Sequence, residues 1–143
     1  MACDLCDGPG GVVLWRDERL RIVRVNDPDY PAFLRVVWNA HVKEMTDLSE
    51  GESEHFMRAV VATERVLRNL LNPDKMNLAS LGNQTPHLHW HVIPRFRDDR
   101  HYPNPVWAAA AREGRTQGEN QSRSVADETL QRELAGKLGS ALR

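Results

Sequence analysis

The chain has 143 residues, 41% of them hydrophobic and 27% charged, which suits one globular domain with a full apolar core. A formal net charge of −1 provides no basic field, so neither a nucleic acid nor an anionic membrane is expected as a partner. No apolar run approaches the roughly 18 residues that span a bilayer. The start "MACDLCDGPGG" lacks the positive end and apolar centre of a signal peptide, and a cytoplasmic protein is the expectation.

Cys3 and Cys6 are the only cysteines and form a Cys-x-x-Cys pair. In a reducing compartment such a pair is a metal half-site or a redox couple sooner than a structural disulfide. A thioredoxin-type couple opens a helix after a strand. Here the pair stands at the terminus before the loop-like "DGPGG", which argues against a redox role.

"GVVLWRDERLRIVRV", Gly11 to Val25, reads as two strands around the charged turn Arg16–Arg19. "NDPDYP" is a turn, and "AFLRVVWNAHV", to about Val42, is a third strand rich in β-branched and aromatic residues. Ser49 and Glu52 have the spacing of a capping box. Behind them Phe56, Met57, Val60, Val61, Val66, Leu67, Leu70 and Leu71 recur at helical spacing until Pro73. "KMNLASL" is a fourth strand, "GNQTP" a loop and "HLHWHVIPR" a fifth strand, in which Pro94 marks a strand end or a sheet edge. This order, β-β-β-α-β-β with short links, predicts an α+β fold: an antiparallel sheet of about five strands with one main helix. Arg112 to Ser124 is polar, Gly-bearing and aperiodic, a mobile connector, and Leu130, Leu134, Leu138 and Leu142 then mark a C-terminal helix. The expected division is a main domain over residues 1–107 and an extension over 108–143.

Three of the six histidines, His87, His89 and His91, alternate within "QTPHLHWHVIPR". On a strand they share one face, while Leu88, Trp90 and Val92 share the other. For His55 and His101 a satisfied or solvated ring suffices. Three in strict alternation are different. Such a set can ligate a metal, or act as nucleophile and acid–base group, since imidazole titrates near neutrality. The preceding "SLGNQTP", Ser80 to Pro86, offers small residues and amide and hydroxyl donors suited to a phosphate. It lacks the Gly-Lys-Ser/Thr of a P-loop.

"HLHWHVI" fits the pattern His-φ-His-φ-His-φ-φ, with φ apolar, and resembles the histidine triad (HIT) family. The likeness extends over "YPAFLRVVWNAHV", the following "DLS" with its helix, and the Asn-bearing strand and polar loop before the triad, about Cys3 to Arg97 in all. The resemblance implies a hydrolase or transferase acting at the α-phosphate of nucleotide conjugates, such as dinucleoside polyphosphates or phosphoramidates. By position, His89 would be the nucleophile that carries the nucleotidyl group, His91 would assist the leaving group, and His87 would orient the site. No catalytic cofactor is expected. A covalent intermediate splits the reaction into two displacements.

Some positions depart from the family. Asn83 stands where the family commonly has a phosphate-contacting Gln, with Gln84 displaced by one. Phe33 replaces a histidine and Trp38 a proline on the middle strand. Asn83 and Gln84 are candidate phosphate contacts. Asn26 is a candidate ribose contact, with a plain turn residue as the alternative. Some bacterial members hold zinc on an N-terminal Cys-x-x-Cys, a histidine after the middle strand and the first triad histidine, and this chain has Cys3, Cys6, His41 and His87 at those places. Two thiolates and two imidazoles make a closed tetrahedral site, hence a structural Zn2+, with a flexible terminus and two free thiols as the alternative. The resemblance also implies a homodimer. Trp107, placed after the triad strand, is a candidate to reach the nucleotide pocket of its own or the partner subunit, with a surface tryptophan packed on its own sheet as the alternative. The alternatives are a nucleotide-binding sensor or scaffold with little turnover, and a metal-handling protein in which all three triad histidines ligate.

Overall fold

Alternation of apolar residues builds five strands in the computed structural model, which describes residues 2–142: β1 (Val12–Arg16), β2 (Leu20–Arg24), β3 (Leu34–Trp38), β4 (Lys75–Ala79) and β5 (His89–Arg95). They form one sheet in the order β1-β2-β3-β5-β4, each neighbour antiparallel. The α+β expectation holds. The histidine strand lies inside the sheet, between β3 and β4. Pro94 is therefore at a strand end, opposite Met76 and beyond the last β3 pair, Leu34 with Val92. There its missing N–H costs no ladder bond.

The turn between β1 and β2 is set by Asp17, whose Oδ1 accepts from the N–H of Arg19 and Leu20 at 2.8 Å each. The long helix α2 (Glu50–Leu71) starts at the predicted capping box, in which Ser49 and Glu52 each accept the other's N–H. It ends at Asn72, in the left-handed conformation at φ 45°, just before Pro73. Val61 and Leu70, counted in its apolar stripe, sit at the stripe's edges and stay exposed.

One sheet face is covered by α2 and by the C-terminal helix α4 (Asp127–Ala141). Leu20, Ile22, Leu34, Val36, Trp38 and Val92 meet Phe56, Val60 and Leu67 there. Leu130, Leu134 and Leu138 are fully buried in the same core, and Arg24 pairs with Asp127 at 2.7 Å. The segment read as a connector carries structure: a helical turn α3 (Gln117–Asn120) capped by Thr116, and Arg115 and Arg123 both bonded to Asp98. Its side-chain bonds run to distant residues, which leave no periodicity in the sequence. Among the described residues no helix is long and apolar enough to cross a membrane.

The other face carries the polar residues. It presents Arg21 and Val23 from β2, Arg35 and Val37 from β3, and His89, His91, Ile93 and Arg95 from β5. A short N-terminal helix α1 (Asp4–Asp7) lies over part of it, with Leu5 packed on Val23 and Val37.

Candidate functional site

His89 and His91 project from β5 onto the outer face, while Trp90 and Val92 turn to the α2 core. His87 lies just before the strand, in a bend. The backbone still tracks β3 there, since Leu88 accepts from the Trp38 N–H and donates to the Val42 carbonyl. β3 itself ends at Trp38 rather than near Val42, because the chain beyond it swings out toward His41. The three rings divide between two neighbourhoods.

The first is a corner of four side chains that could hold a metal ion. Cys3 Sγ, Cys6 Sγ, His41 Nδ1 and His87 Nδ1 all lie within 4.8 Å of one another. His41 and His87 Nδ1 are 3.3 Å apart, and His87 Nδ1 is 3.4 Å from each sulfur. A tetrahedral zinc with ordinary Zn–N and Zn–S bonds needs roughly 3.4 Å between nitrogens and roughly 3.6 Å between nitrogen and sulfur. The four donors fit the ion. His87 is fully buried and its Nε2 donates to the Trp38 carbonyl at 2.6 Å, which turns the Nδ1 lone pair to the corner. Desolvation, and then Cys3 beside it, raise the Cys6 thiol pKa. A cation relieves that repulsion.

The second neighbourhood is a cavity of about 290 Å³ lined by Arg35, Leu81, Gly82, Asn83, Gln84, Thr85, His89, His91 and Trp107. His89 Nδ1 donates to the His87 carbonyl at 2.6 Å, so its Nε2 is the free nitrogen. Ser80 Oγ, donating to the His89 carbonyl at 2.7 Å, fixes the strand from the β4 side. Gly82, at φ 73°, makes the turn that brings Asn83, Gln84 and Thr85 to the cavity wall. His91 is wedged edge-on among His89, Phe33 and Trp107, with ring centroids 4.8, 5.3 and 5.1 Å away. Burial, followed by His89 and Arg35, pushes its pKa down to about 3. Burial likewise lowers that of His89. Burial thus favours the neutral form of both rings, which suits a nucleophile and a neutral hydrogen-bonding group.

The predicted residues thus gather in two sets, Cys3, Cys6, His41 and His87 in one and Asn83, Gln84, His89 and His91 in the other. Asn26 joins neither. It is exposed and lines a separate cavity of about 560 Å³ with Arg24, Asn120 and Asp127, because the "NDPDYP" turn leads it to the α4 side. His55 is bonded to Asp17 and His101 to Tyr30, as satisfied rings.

Two arginines matter that periodicity does not reveal. Arg21 reaches under α1 and donates to the carbonyls of Leu5, Gly8 and Pro9 and to Asn39, clamping the chain that carries both cysteines. Arg35 stands across the sheet from His91 and lines the cavity. The available signal is an arginine flanked by apolar residues within each strand, Arg21 in "LRIVR" and Arg35 in "FLRVVW".

The profile of the HIT domain family matches residues 10–98. An AP-4-A phosphorylase of Mycobacterium tuberculosis is 31% identical over 98 residues, covering 64% of this chain and 50% of that protein. The chain therefore spans about half the length of the curated relatives it matches. A histidine triad protein of Bradyrhizobium japonicum has a TM-score of 0.72 at 26% identity, with 88% of this chain and 92% of that one covered. One from Marinobacter aquaeolei matches at 0.72 and 25%, covering 90% and 91%. A zinc-bound histidine triad family protein of Mycobacterium smegmatis, 19% identical with a TM-score of 0.62 over 98% and 95%, shares the fold.

Proposed function

The chain belongs to the histidine triad (HIT) family, and from that premise we propose that it is a nucleotidyl hydrolase or transferase cleaving nucleotide conjugates at the α-phosphate. The observation that carries this reading is the bond from His89 Nδ1 to the His87 carbonyl, which fixes the tautomer and leaves Nε2 free in the cavity. Nε2 attacks the α-phosphorus as the bond to the leaving group breaks, giving a nucleotidyl-histidine. Water or another acceptor then attacks the same phosphorus and restores His89. Asn83, Gln84 and Thr85 supply donors to the equatorial oxygens from the β4 side. His91 packs against the leaving group. The kinship with an AP-4-A phosphorylase supports a nucleotide conjugate as substrate.

Cys3, Cys6, His41 and His87 hold a structural zinc in this reading. Four protein donors leave no open position, so the ion's contribution is to fix the start of the triad segment. The protein works as a homodimer.

Native mass spectrometry after brief mixing with a dinucleoside polyphosphate tests the proposal. One nucleotidyl adduct per chain, mapped to His89 and absent from His89→Ala, is expected. Nucleotide binding without adduct or turnover would replace the enzyme by a nucleotide sensor or scaffold. An adduct on His91 would reverse the assignment of the two rings.

A further inference from the structure

Arg35 and Arg95 stand on the same outer face of adjacent strands, and their surroundings differ. Arg95 is 2% exposed and fully partnered: its guanidinium bonds Asp99, Asn77 and the Asn104 carbonyl. Arg35 has no ion pair among the described residues. Among the described residues its Nε is buried without a partner, and its one hydrogen bond is a long one, 3.4 Å, to the Gly10 carbonyl. Burial lowers its pKa with nothing opposing, yet a guanidinium stays charged. A half-buried cation without a counter-charge is costly, and an anionic ligand offsets that cost. The cavity it lines contains no Asp or Glu among the described residues.

We propose that Arg35 forms a subsite for a second phosphate, so that this pocket takes nucleotide conjugates whose leaving group is itself a phosphate rather than an amine. The inference rests on the reading of His89 as nucleophile. Arg35 faces His91 in the β3–β5 register, on the wall opposite the 81–85 loop. The loop donors serve the phosphate under attack, and the guanidinium serves the next one, as a bidentate fork. In the step, the His89 Nε2–phosphorus bond forms and the phosphorus–bridging oxygen bond breaks. The electron pair leaves on the bridging oxygen, whose phosphate carries the new charge beside Arg35. Water then attacks the phosphorus, the phosphorus–nitrogen bond breaks, its electron pair returns to Nε2, and the water's protons pass to solvent. A departing amine would instead have to collect a proton. Arg35 has none to give, and the proton-poor His91 is a weak source.

Trp107, whose ring is 5.1 Å from His91, reports binding by its fluorescence. Titration with AMP and ADP should show ADP binding about ten-fold more tightly to the wild type, the order expected of one charge-assisted fork. Arg35→Met should bring ADP to within about three-fold of AMP while AMP changes little, and the melting temperature of the unliganded protein should hold or rise. Arg35→Lys, which keeps the charge without the fork, should retain an intermediate preference. In turnover, the kcat/KM ratio of a dinucleoside polyphosphate over an adenosine phosphoramidate should fall about ten-fold or more in Arg35→Met. Equal losses for AMP and ADP in both variants, or a lower melting temperature with the ADP preference intact, would overturn the subsite. An Arg35-dependent ADP preference in a protein that turns nothing over would retain the subsite and discard the enzyme. A His89 adduct with an ADP preference indifferent to Arg35 would do the reverse.

Discussion

The metal corner and the histidine cavity share one segment of chain, 87–91, and differ in whether their polar atoms are already engaged. At the corner every donor is engaged: two sulfurs and two nitrogens converge at 3.3–3.4 Å contacts, and His87 is held from behind by a backbone carbonyl. In the cavity the polar atoms are left over. Among the described residues His89 keeps one nitrogen free, His91 Nδ1 and Arg35 Nε are buried without partners, and the nearest rings touch edge to face. With an ion bound, such a closed cluster would contribute stability, because binding to the folded state alone favours that state. An unsaturated cluster detracts from stability and provides the free atoms that binding and chemistry need. Only Leu88 lies between His87 and His89, so the corner anchors the segment that carries the ring proposed as nucleophile.

The comparison breaks first, and most visibly, at His89. Its replacement by Ala should lower kcat/KM by about three orders of magnitude or more, the usual cost of removing a covalent nucleophile. The melting temperature should stay close to that of the wild type. Steady-state kinetics with thermal unfolding checks both. Retention of more than about a tenth of the activity would take the nucleophile out of the cavity.

The corner should answer in the opposite currency. Cys3→Ser combined with Cys6→Ser should release zinc, seen by elemental analysis, and lower stability by about 3 kcal/mol, or roughly 10 °C in Tm. Activity per folded molecule should change by no more than a few-fold, since neither cysteine touches the cavity. If chelation abolished turnover at unchanged stability, the two clusters would be one functional unit.

How much of this was legible beforehand follows the same division. Features that a local pattern encodes could be read: the capping box at Ser49 and Glu52, the alternation at β5, the four-residue leucine steps of α4, and a ligand set recognised by family likeness. Features set by partners distant in sequence could not. Asn26 sits in a turn whose direction no local signal gives. Arg115, Arg123 and Asp98 order a stretch that looks structureless alone. Arg21 and Arg35 each appear as an arginine flanked by apolar residues, and only the fold shows that one clamps the cysteine loop while the other faces His91.

Arg21 sharpens the comparison because it touches no ligand atom. Arg21→Met would remove the donors to three carbonyls around the cysteines and leave the corner's four donors in place. Outer supports of this kind are typically worth about 10–100-fold in metal affinity. Competition with a chromophoric chelator should show that loss. Turnover at saturating zinc should be kept, whereas a loss there would mean that the N-terminal loop shapes the cavity directly.

The smallest effect separates the clusters by acid. His91 has its folded pKa pushed down to about 3, by burial first and then by His89 and Arg35, against about 6.5 for an unfolded histidine. Between those values the unfolded chain binds the proton and the folded chain does not, so stability is full above about pH 6.5 and falls as pH drops below it. One such group costs about 1 kcal/mol on going from pH 7.5 to 5.5. Acid also strips zinc from thiolates and imidazoles, so the wild type alone cannot assign the loss. His91→Gln keeps the corner and removes the titrating ring. Denaturant unfolding of both proteins across this range should show the variant less acid-sensitive by about that 1 kcal/mol, with zinc release unchanged. Parallel curves would place the whole acid limb at the corner and leave the buried ring of His91 without a measurable share.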